Sequence, residues 1–291
     1  MFKGSLVALI TPFREGKVDE KAFAELVAWQ LAEGTHGLVP CGTTGESPTL
    51  SDAERQRLVA ISVEGAKGKA PVIAGAGSNA TEHTIEMTRA AKAAGADAAL
   101  IVCPYYNRPT QEGLYRHFKA INDAVDLPII IYNIPGRTGV DMSNATMARL
   151  ARLPNIVGVK DATNDLARPL RMRAEIGADF CLLSGEDATA VAYLAQGGEG
   201  CISVTANVAP KLCARMQEAW QKGDLASMRQ INERLIPLHD ALFAETSPVP
   251  VKYAASLLGR SSPEVRQPLW PLSAETKEKV EKAMRGAGLI N

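Results

Sequence analysis

Short apolar runs recur along the chain, separated by longer amphipathic stretches. The interiors of these runs are apolar on both faces instead of alternating with polar residues. This pattern is typical of parallel strands that are covered on each side. The sequence predicts eight strands: Leu6–Thr11, Gly37–Cys41, Pro71–Gly75, Ala98–Cys103, Leu127–Tyr132, Ile156–Lys160, Phe180–Ser184 and Cys201–Thr205.

The stretches between the runs have helical spacing and recognisable ends. In the first, apolar residues recur on one helical face from Phe23 to Leu31, and Gly34 follows as a stop signal. In the second, Ser51 and Glu54 have the spacing of a capping box, in which each side chain binds the other residue's amide. Glycines are predicted to end four later helices, at Gly95, Gly177, Gly197 and Gly223.

Eight strand-helix units fill residues 1–224, which is more than an open doubly wound sheet of about five or six strands contains. The predicted fold is therefore an α/β class (β/α)₈ TIM barrel, with residues 1–224 as the catalytic barrel. Residues 225–291 have no strand pattern. They are predicted to form a C-terminal helical appendage, with helices at 225–243, 249–258 and 273–286 and a break around Pro248.

Composition narrows the class of partner. Among 291 residues, Lys plus Arg and Asp plus Glu both number 32, so nothing attracts the protein to nucleic acid or to an anionic membrane. Small molecules are the expected partners. The five cysteines have no regular spacing and are interpreted as core residues in a reducing compartment. The N-terminus lacks a basic leader, and no apolar run approaches about 20 residues, so a cytoplasmic location is expected.

Lys160 ends the sixth predicted strand, and Tyr132 ends the fifth. In a (β/α)₈ barrel the chemistry lies at the carboxyl ends of the strands, so an amine and a phenol are expected to be neighbours there. A neutral amine can attack a ketone, and burial favours the neutral form. The structural alternative, a rim lysine paired with a carboxylate such as Asp161, stays open at this point.

Other strand ends carry groups suited to a small carboxylate substrate. The loop at residues 42–47 contains Thr43, Thr44 and several free amides, although it can equally be a simple turn. Tyr106 lies in a proline-flanked loop, where aromatic packing is the alternative. Arg137 lies in a Pro/Gly-rich loop and can bind a carboxylate with two hydrogen bonds, although surface exposure is commoner. Glycines at 197–200 suit a phosphate, but Gly197 is already explained as a helix stop.

Two kinds of site lack a signal in this sequence. The four histidines do not cluster at strand ends, and neither His nor Cys has the spacing of metal ligands. No Gly-x-Gly-x-x-Gly turn between a strand and a helix suggests a nucleotide. Covalent catalysis by an amine is the chemistry that remains.

Four characteristic segments stand at predicted strand ends, in this order along the chain: Gly42-Thr43-Thr44-Gly45-Glu46, Pro104-Tyr105-Tyr106-Asn107-Arg108-Pro109, Tyr132-Asn133-Ile134-Pro135-Gly136-Arg137-Thr138-Gly139 and Gly158-Val159-Lys160-Asp161. Together they resemble the dihydrodipicolinate synthase family within the pyruvate-dependent class I aldolases. The resemblance extends over essentially the whole chain. Arg137 and Tyr106 favour this family over the sialic acid and keto-deoxy-sugar lyases.

The resemblance implies a Schiff-base-forming lyase that condenses pyruvate with L-aspartate 4-semialdehyde in the diaminopimelate and lysine pathway. It implies no metal and no organic cofactor, only an imine between pyruvate and Lys160. It also implies a homotetramer built as a dimer of tight dimers, in which the other subunit supplies the tyrosine that matches Tyr106. The implied catalytic residues are Lys160, Tyr132, Thr43 and Tyr106, and the implied substrate-binding residues are Thr44, Arg137, Gly185 and Ile202.

Members of the family are often inhibited by lysine, and this chain departs from the regulated pattern. Asp52 and Arg55 stand where regulated members carry histidines, and His83 stands where an acidic residue binds the ammonium of lysine. Weak or absent feedback is therefore expected.

Two other functions stay open at this stage. One is a related class I lyase that cleaves N-acetylneuraminate or a 2-keto-3-deoxy sugar acid to pyruvate. The other is a catalytically silent barrel that binds a keto acid.

Overall fold

The computed structural model describes residues 2–291. It contains two compact units, one formed by residues 2–3 and 73–202, the other by residues 4–72 and 203–291. This division does not coincide with a boundary after residue 224, so the division into a barrel and an appendage stays a prediction.

Eight parallel strands form one sheet in the order β4-β1-β10-β9-β8-β7-β6-β5, which confirms the predicted (β/α)₈ barrel. A further bridge joins Leu38 of β4 to Val72, directly before β5. A two-stranded antiparallel hairpin, β2 with β3, was not predicted. The strands are β1 Gly4–Ala8, β2 Phe13–Arg14, β3 Lys17–Val18, β4 Gly37–Val39, β5 Ile73–Gly75, β6 Ala98–Val102, β7 Ile129–Asn133, β8 Ile156–Asp161, β9 Cys181–Ser184 and β10 Gly200–Ser203.

The first and last barrel strands end earlier than their apolar runs predict. Beyond β1, the Ile10 amide donates to the Asn207 side chain at 3.0 Å instead of to a neighbouring strand. Beyond β10, Thr205–Asn207 forms a 3₁₀ helix. Both segments are buried, so apolar character alone did not reveal that the strands had ended.

Twelve α-helices accompany the strands within residues 2–291, and the three C-terminal ones match their predicted bounds within one residue. A second 3₁₀ helix, Ser47–Thr49, follows β4. The helices are α1 Glu20–Ala32, α2 Asp52–Ala66, α3 Thr81–Ala93, α4 Gln111–Ala124, α5 Pro135–Thr138, α6 Asn144–Leu150, α7 Arg168–Ile176, α8 Ala190–Ala195, α9 Pro210–Gln221, α10 Leu225–Leu242, α11 Val249–Leu257 and α12 Ala274–Gly286.

The predicted helix signals are confirmed, with one correction. Ser51 and Glu54 form both hydrogen bonds of the capping box, and the predicted stop glycines all have positive φ. In α1 the fourth buried residue is Gln30, whereas Leu31 is half-buried. Gln30 can be buried because its amide donates to the Ala206 carbonyl at 2.8 Å and accepts from the Thr35 hydroxyl at 2.6 Å.

The predicted burial of the cysteines is confirmed, since all five are buried free thiols. Among residues 2–291, no group of three or more His, Cys, Asp or Glu side chains has an arrangement that could hold a metal ion. No helix in the same residues combines the length and apolar character needed to cross a membrane.

Candidate active site

Lys160 and Tyr132 lie directly opposite each other on the neighbouring strands β8 and β7. The Lys160 Nζ is 4.2 Å from the centroid of the Tyr132 ring, and both side chains are buried, with 5% and 6% of their surface exposed. The structure therefore brings together the amine and the phenol that the two strand ends predicted. A buried amine next to a phenol has the elements of a nucleophile with an adjacent proton donor.

Asp161 does not pair with Lys160, because successive side chains of a strand point to opposite faces. Its carboxylate accepts from the Thr163 amide at 2.9 Å and lies 3.7 Å from the buried Arg168 guanidinium. Burial raises the pKa of Asp161, and the Thr163 and Arg168 contacts oppose that rise. The structural alternative, in which Asp161 neutralises Lys160, is therefore wrong.

Gly185 lies beside Lys160, at the end of the next strand. A β-carbon at this position would be 3.1 Å from the Lys160 Cε and 2.9 Å from the Ala162 Cβ, so only glycine leaves this space open. The Gly185 amide donates to the Asp161 carbonyl at 2.6 Å, so that N–H is already used. Ile202, in β10, is 1% exposed.

Replacing Gly185 by alanine is expected to lower the rate of imine formation on Lys160. The added methyl group must displace either the lysine stem or the backbone of β8, and misplacing a reacting group by about 1 Å costs up to about 100-fold. The measurement is the rate at which borohydride traps pyruvate on the protein. Gly136→Ala is the matched control, because a β-carbon there meets nothing within 4 Å. Equal trapping rates in the two variants would contradict the expectation.

Glu186 follows Gly185 and was not among the predicted site residues. Its carboxyl group is half-buried. Burial raises the pKa of Glu186, the charge of Asp187 raises it further, and the Ala188 amide and the charge of Lys160 lower it. Lys160 is therefore part of the electrostatic environment of the Glu186 carboxyl group.

Tyr106 is exposed over 88% of its surface and has a φ of 71°, which is unusual for a residue with a side chain. Its loop is tied to the loop after β7, because the Tyr106 amide donates to the Thr138 carbonyl at 3.4 Å and the Arg108 Nε donates to the Gly139 carbonyl at 3.0 Å. The structure thus presents the Tyr106 ring outward from its own protomer.

Arg137 lies on the exposed face of the short helix α5, in the loop that follows β7. Asn133 anchors this loop: its amide donates to Asp141 at 2.8 Å and accepts from the Met142 amide at 3.2 Å. Arg168 donates to the same Asp141 carboxylate at 3.1 Å. The buried residues Asn133 and Arg168 therefore fix the loop that carries Arg137 by binding the exposed Asp141.

Thr43 and Thr44 lie between two residues with positive φ, Cys41 at 58° and Glu46 at 57°. Thr44 is 3% exposed, whereas Thr43 is half-buried. The loop closes on itself through a hydrogen bond of 3.0 Å from the Glu46 amide to the Thr43 carbonyl. Its conformation is thus a defined turn that holds both hydroxyls.

Residues 1–287 match the model of the dihydrodipicolinate synthetase family. The chain belongs to the dihydrodipicolinate synthetase family. It is 68% identical to the 4-hydroxy-tetrahydrodipicolinate synthase of Rhodospirillum centenum and 63% identical to that of Parvibaculum lavamentivorans, over 100% of each chain. A crystal structure of the chloride-inhibited dihydrodipicolinate synthase of Acinetobacter baumannii, complexed with pyruvate, is 45% identical with a TM-score of 0.97 and full coverage of both chains.

The sequence did not predict the buried polar residues that hold the loop of Arg137. Asn133 stood next to a predicted site residue, and its position at a strand end could have drawn attention to it. Arg168, which is 7% exposed, had no signal, because an arginine at the start of a helix is usually a surface residue.

Proposed function

We propose that this chain catalyses the 4-hydroxy-tetrahydrodipicolinate synthase reaction, the condensation of pyruvate with L-aspartate 4-semialdehyde in diaminopimelate and lysine biosynthesis. One observation carries the proposal: a buried Lys160 next to the Tyr132 ring, in a chain that shares 68% of its residues with a synthase of that name. The chemistry requires a lysine amine that can reach a ketone and a nearby proton donor.

In the proposed mechanism the Lys160 amine adds to the ketone carbon of pyruvate, and loss of water leaves an imine. Loss of a methyl proton gives an enamine, whose carbon attacks the aldehyde of the semialdehyde, and the aldehyde oxygen takes a proton to become a hydroxyl. The amino group of the new chain then attacks the imine carbon and displaces the Lys160 amine. The product is a heterocycle, and the free lysine is regenerated without a cofactor.

We assign Tyr132 as the proton donor and acceptor for these steps, because its ring contacts Lys160. Thr43 and Tyr106 are proposed to complete a hydroxyl relay with Tyr132. The remaining assignments concern substrate carboxylates. Thr44 and the backbone near Gly185 and Ile202 would bind the carboxylate of pyruvate. Arg137 would bind the carboxylate of the semialdehyde.

We propose that the active assembly is a homotetramer made from two tight dimers. The support is Tyr106, whose side chain is 88% exposed although its role requires a defined position. A second subunit would bury this ring and order it.

A cytoplasmic location accords with five free thiols and with the biosynthetic role.

The test is intact-mass measurement after incubation with pyruvate and sodium borohydride, followed by an assay with aspartate 4-semialdehyde. An adduct with consumption of semialdehyde is expected, and peptide mapping should locate it on Lys160. An adduct without consumption would favour the related lyase, for which Lys160 and Tyr132 serve equally well. Pyruvate binding without an adduct would favour a silent keto-acid sensor.

We expect weak feedback by lysine, with an inhibition constant of about 1 mM or higher at neutral pH. The Arg55 guanidinium would repel the ammonium group of a lysine ligand bound beside it. This guanidinium already donates to the Ser47 carbonyl. His83 has an imidazole in place of a carboxylate, so it cannot bind an ammonium group as an acidic residue would, and it lies 3.6 Å from Glu86. Initial rates with increasing lysine measure the effect, and Arg55→His combined with His83→Glu should bind lysine more tightly. Inhibition of the wild type in the low-micromolar range would contradict this expectation.

A further inference from the structure

Both carboxylate oxygens of Glu46 are bound by residues from the C-terminal part of the chain. The Lys252 Nζ donates to one oxygen at 2.6 Å, and the Arg266 amide donates to the other at 2.9 Å. Glu46 is 3% exposed and Lys252 is completely buried. A sequence separation of more than 200 residues is thus bridged by a buried ion pair and a backbone hydrogen bond.

Glu46 belongs to the loop that carries Thr43 and Thr44. Its left-handed backbone conformation is unfavourable for a residue other than glycine, so other contacts must hold it there. Its amide donates to the Thr43 carbonyl, and its own carbonyl accepts from the Thr49 amide at 3.0 Å. Contacts that fix the Glu46 side chain therefore also fix the loop backbone at Thr43.

The Arg266 side chain extends the same attachment. Its guanidinium donates to the Thr49 carbonyl at 2.7 Å and to Glu54 at 2.5 and 2.9 Å. It also lies 4.4 Å from the centroid of the Phe13 ring, and the Lys252 Nζ lies 4.1 Å from the same ring. The loop and the first turn of α2 are thus attached to the C-terminal part at several points.

Stability alone is a weak reason for such a pair. Burial lowers the pKa of Lys252 to about 8, although Glu46 opposes the shift, which means that the ammonium is held at a free-energy cost. Apolar residues of similar volume often replace a buried ion pair without loss of stability. A buried pair does, however, permit fewer arrangements than an apolar contact, because each oxygen must face its donor.

We propose that Glu46, Lys252 and Arg266 are positioning residues that hold the loop of Thr43 and Thr44 in the conformation that binds pyruvate. The inference rests on the proposed function, in which Thr44 binds pyruvate and Thr43 belongs to the hydroxyl relay. It gives residues 225–291 a role in the activity: the segment that contains Lys252 and Arg266 supports the loop by binding Glu46.

The test compares Lys252→Met, Glu46→Gln and the double variant with the wild type in steady-state kinetics and thermal unfolding. We expect each single variant to raise the KM for pyruvate about 10-fold, with a smaller change in the KM for the semialdehyde. The double variant should have about the same KM as the singles, because the two residues act as one unit. Its Tm should recover in part, since no buried charge is then left without its partner.

Leu235→Ala is the matched control. Leu235 is completely buried in α10, outside the loop and outside the cluster that binds Glu46. Its truncation leaves a cavity in the core and therefore lowers the Tm without touching Glu46. A raised KM for pyruvate in the cluster variants, but not in Leu235→Ala, supports positioning.

Two results would overturn the proposal. One is a KM for pyruvate within twofold of the wild type in Lys252→Met and Glu46→Gln, and the other is an equal rise in Leu235→Ala. If Lys252→Met and Glu46→Gln do not fold, the KM for pyruvate is measured in Arg266→Gln. This variant is expected to fold, because the Arg266 side chain is partly exposed and the backbone hydrogen bond from residue 266 to Glu46 remains. A KM for pyruvate raised threefold or more in Arg266→Gln supports the proposal, and an unchanged KM overturns it. Failure of the proposed function is distinguishable, since it would leave the wild type without a pyruvate adduct.

Discussion

Lys160→Ala is expected to give no pyruvate adduct with borohydride and to lose synthase activity by at least about 10⁴-fold, in line with the removal of covalent nucleophiles elsewhere. The amine is the atom that forms the imine, and no other group in its position can replace it. Its Nζ lies 4.2 Å from the Tyr132 ring, and Asp161 is directed to Arg168, so the side chain is not required for a salt bridge with its neighbour. Intact mass and the coupled assay measure the two effects.

Lys160→Arg is the control for charge. It keeps a long basic side chain next to the Tyr132 ring, but a guanidinium does not form an imine with a ketone, so it should also lack the adduct. Lys252, the other deeply buried lysine, is bound to Glu46 and should remain unlabelled in both variants. An adduct of undiminished yield in Lys160→Ala would mean that another lysine is the nucleophile, and the proposed mechanism would be wrong.

Tyr132→Phe is expected to reduce kcat by about 10²–10⁴-fold, the usual contribution of a general acid or base. The phenylalanine ring keeps the contact with Lys160 and fills the same buried space, so only the hydroxyl is lost. Pyruvate should still be trapped at saturation, because the lysine is intact, but more slowly. Pre-steady-state trapping and kcat together separate this result from loss of binding.

Tyr115→Phe is the matched control for Tyr132→Phe. It also removes one phenol hydroxyl, from a tyrosine whose ring contacts the Arg149 guanidinium at 4.0 Å. Its kinetics should equal those of the wild type. If Tyr132→Phe retained full activity as well, proton transfer would have to come from another group, and the half-buried Glu186 would be the next residue to test.

The sequence predicted the parts of this molecule that depend on local patterns. Runs apolar on both faces predicted the eight parallel strands, and the Ser51 capping box and Gly34 predicted helix ends, because these signals act within a few residues. Lys160 and Tyr132 were predicted to be neighbours since both end adjacent strands, and their contact at 4.2 Å agrees. Strand ends were less predictable at Thr11 and Thr205, where buried residues continue beyond the ladder.

Only the tertiary structure decided which partners the buried polar residues have. The sequence left open whether Asp161 neutralises Lys160, and the alternation of side chains along β8 turns Asp161 toward Arg168 instead. It also contained no sign that Lys252 binds Glu46 or that Asn133 anchors the loop of Arg137. Local preferences determine where strands and helices form, whereas the pairing of buried charges depends on which distant segments the fold brings within hydrogen-bond distance.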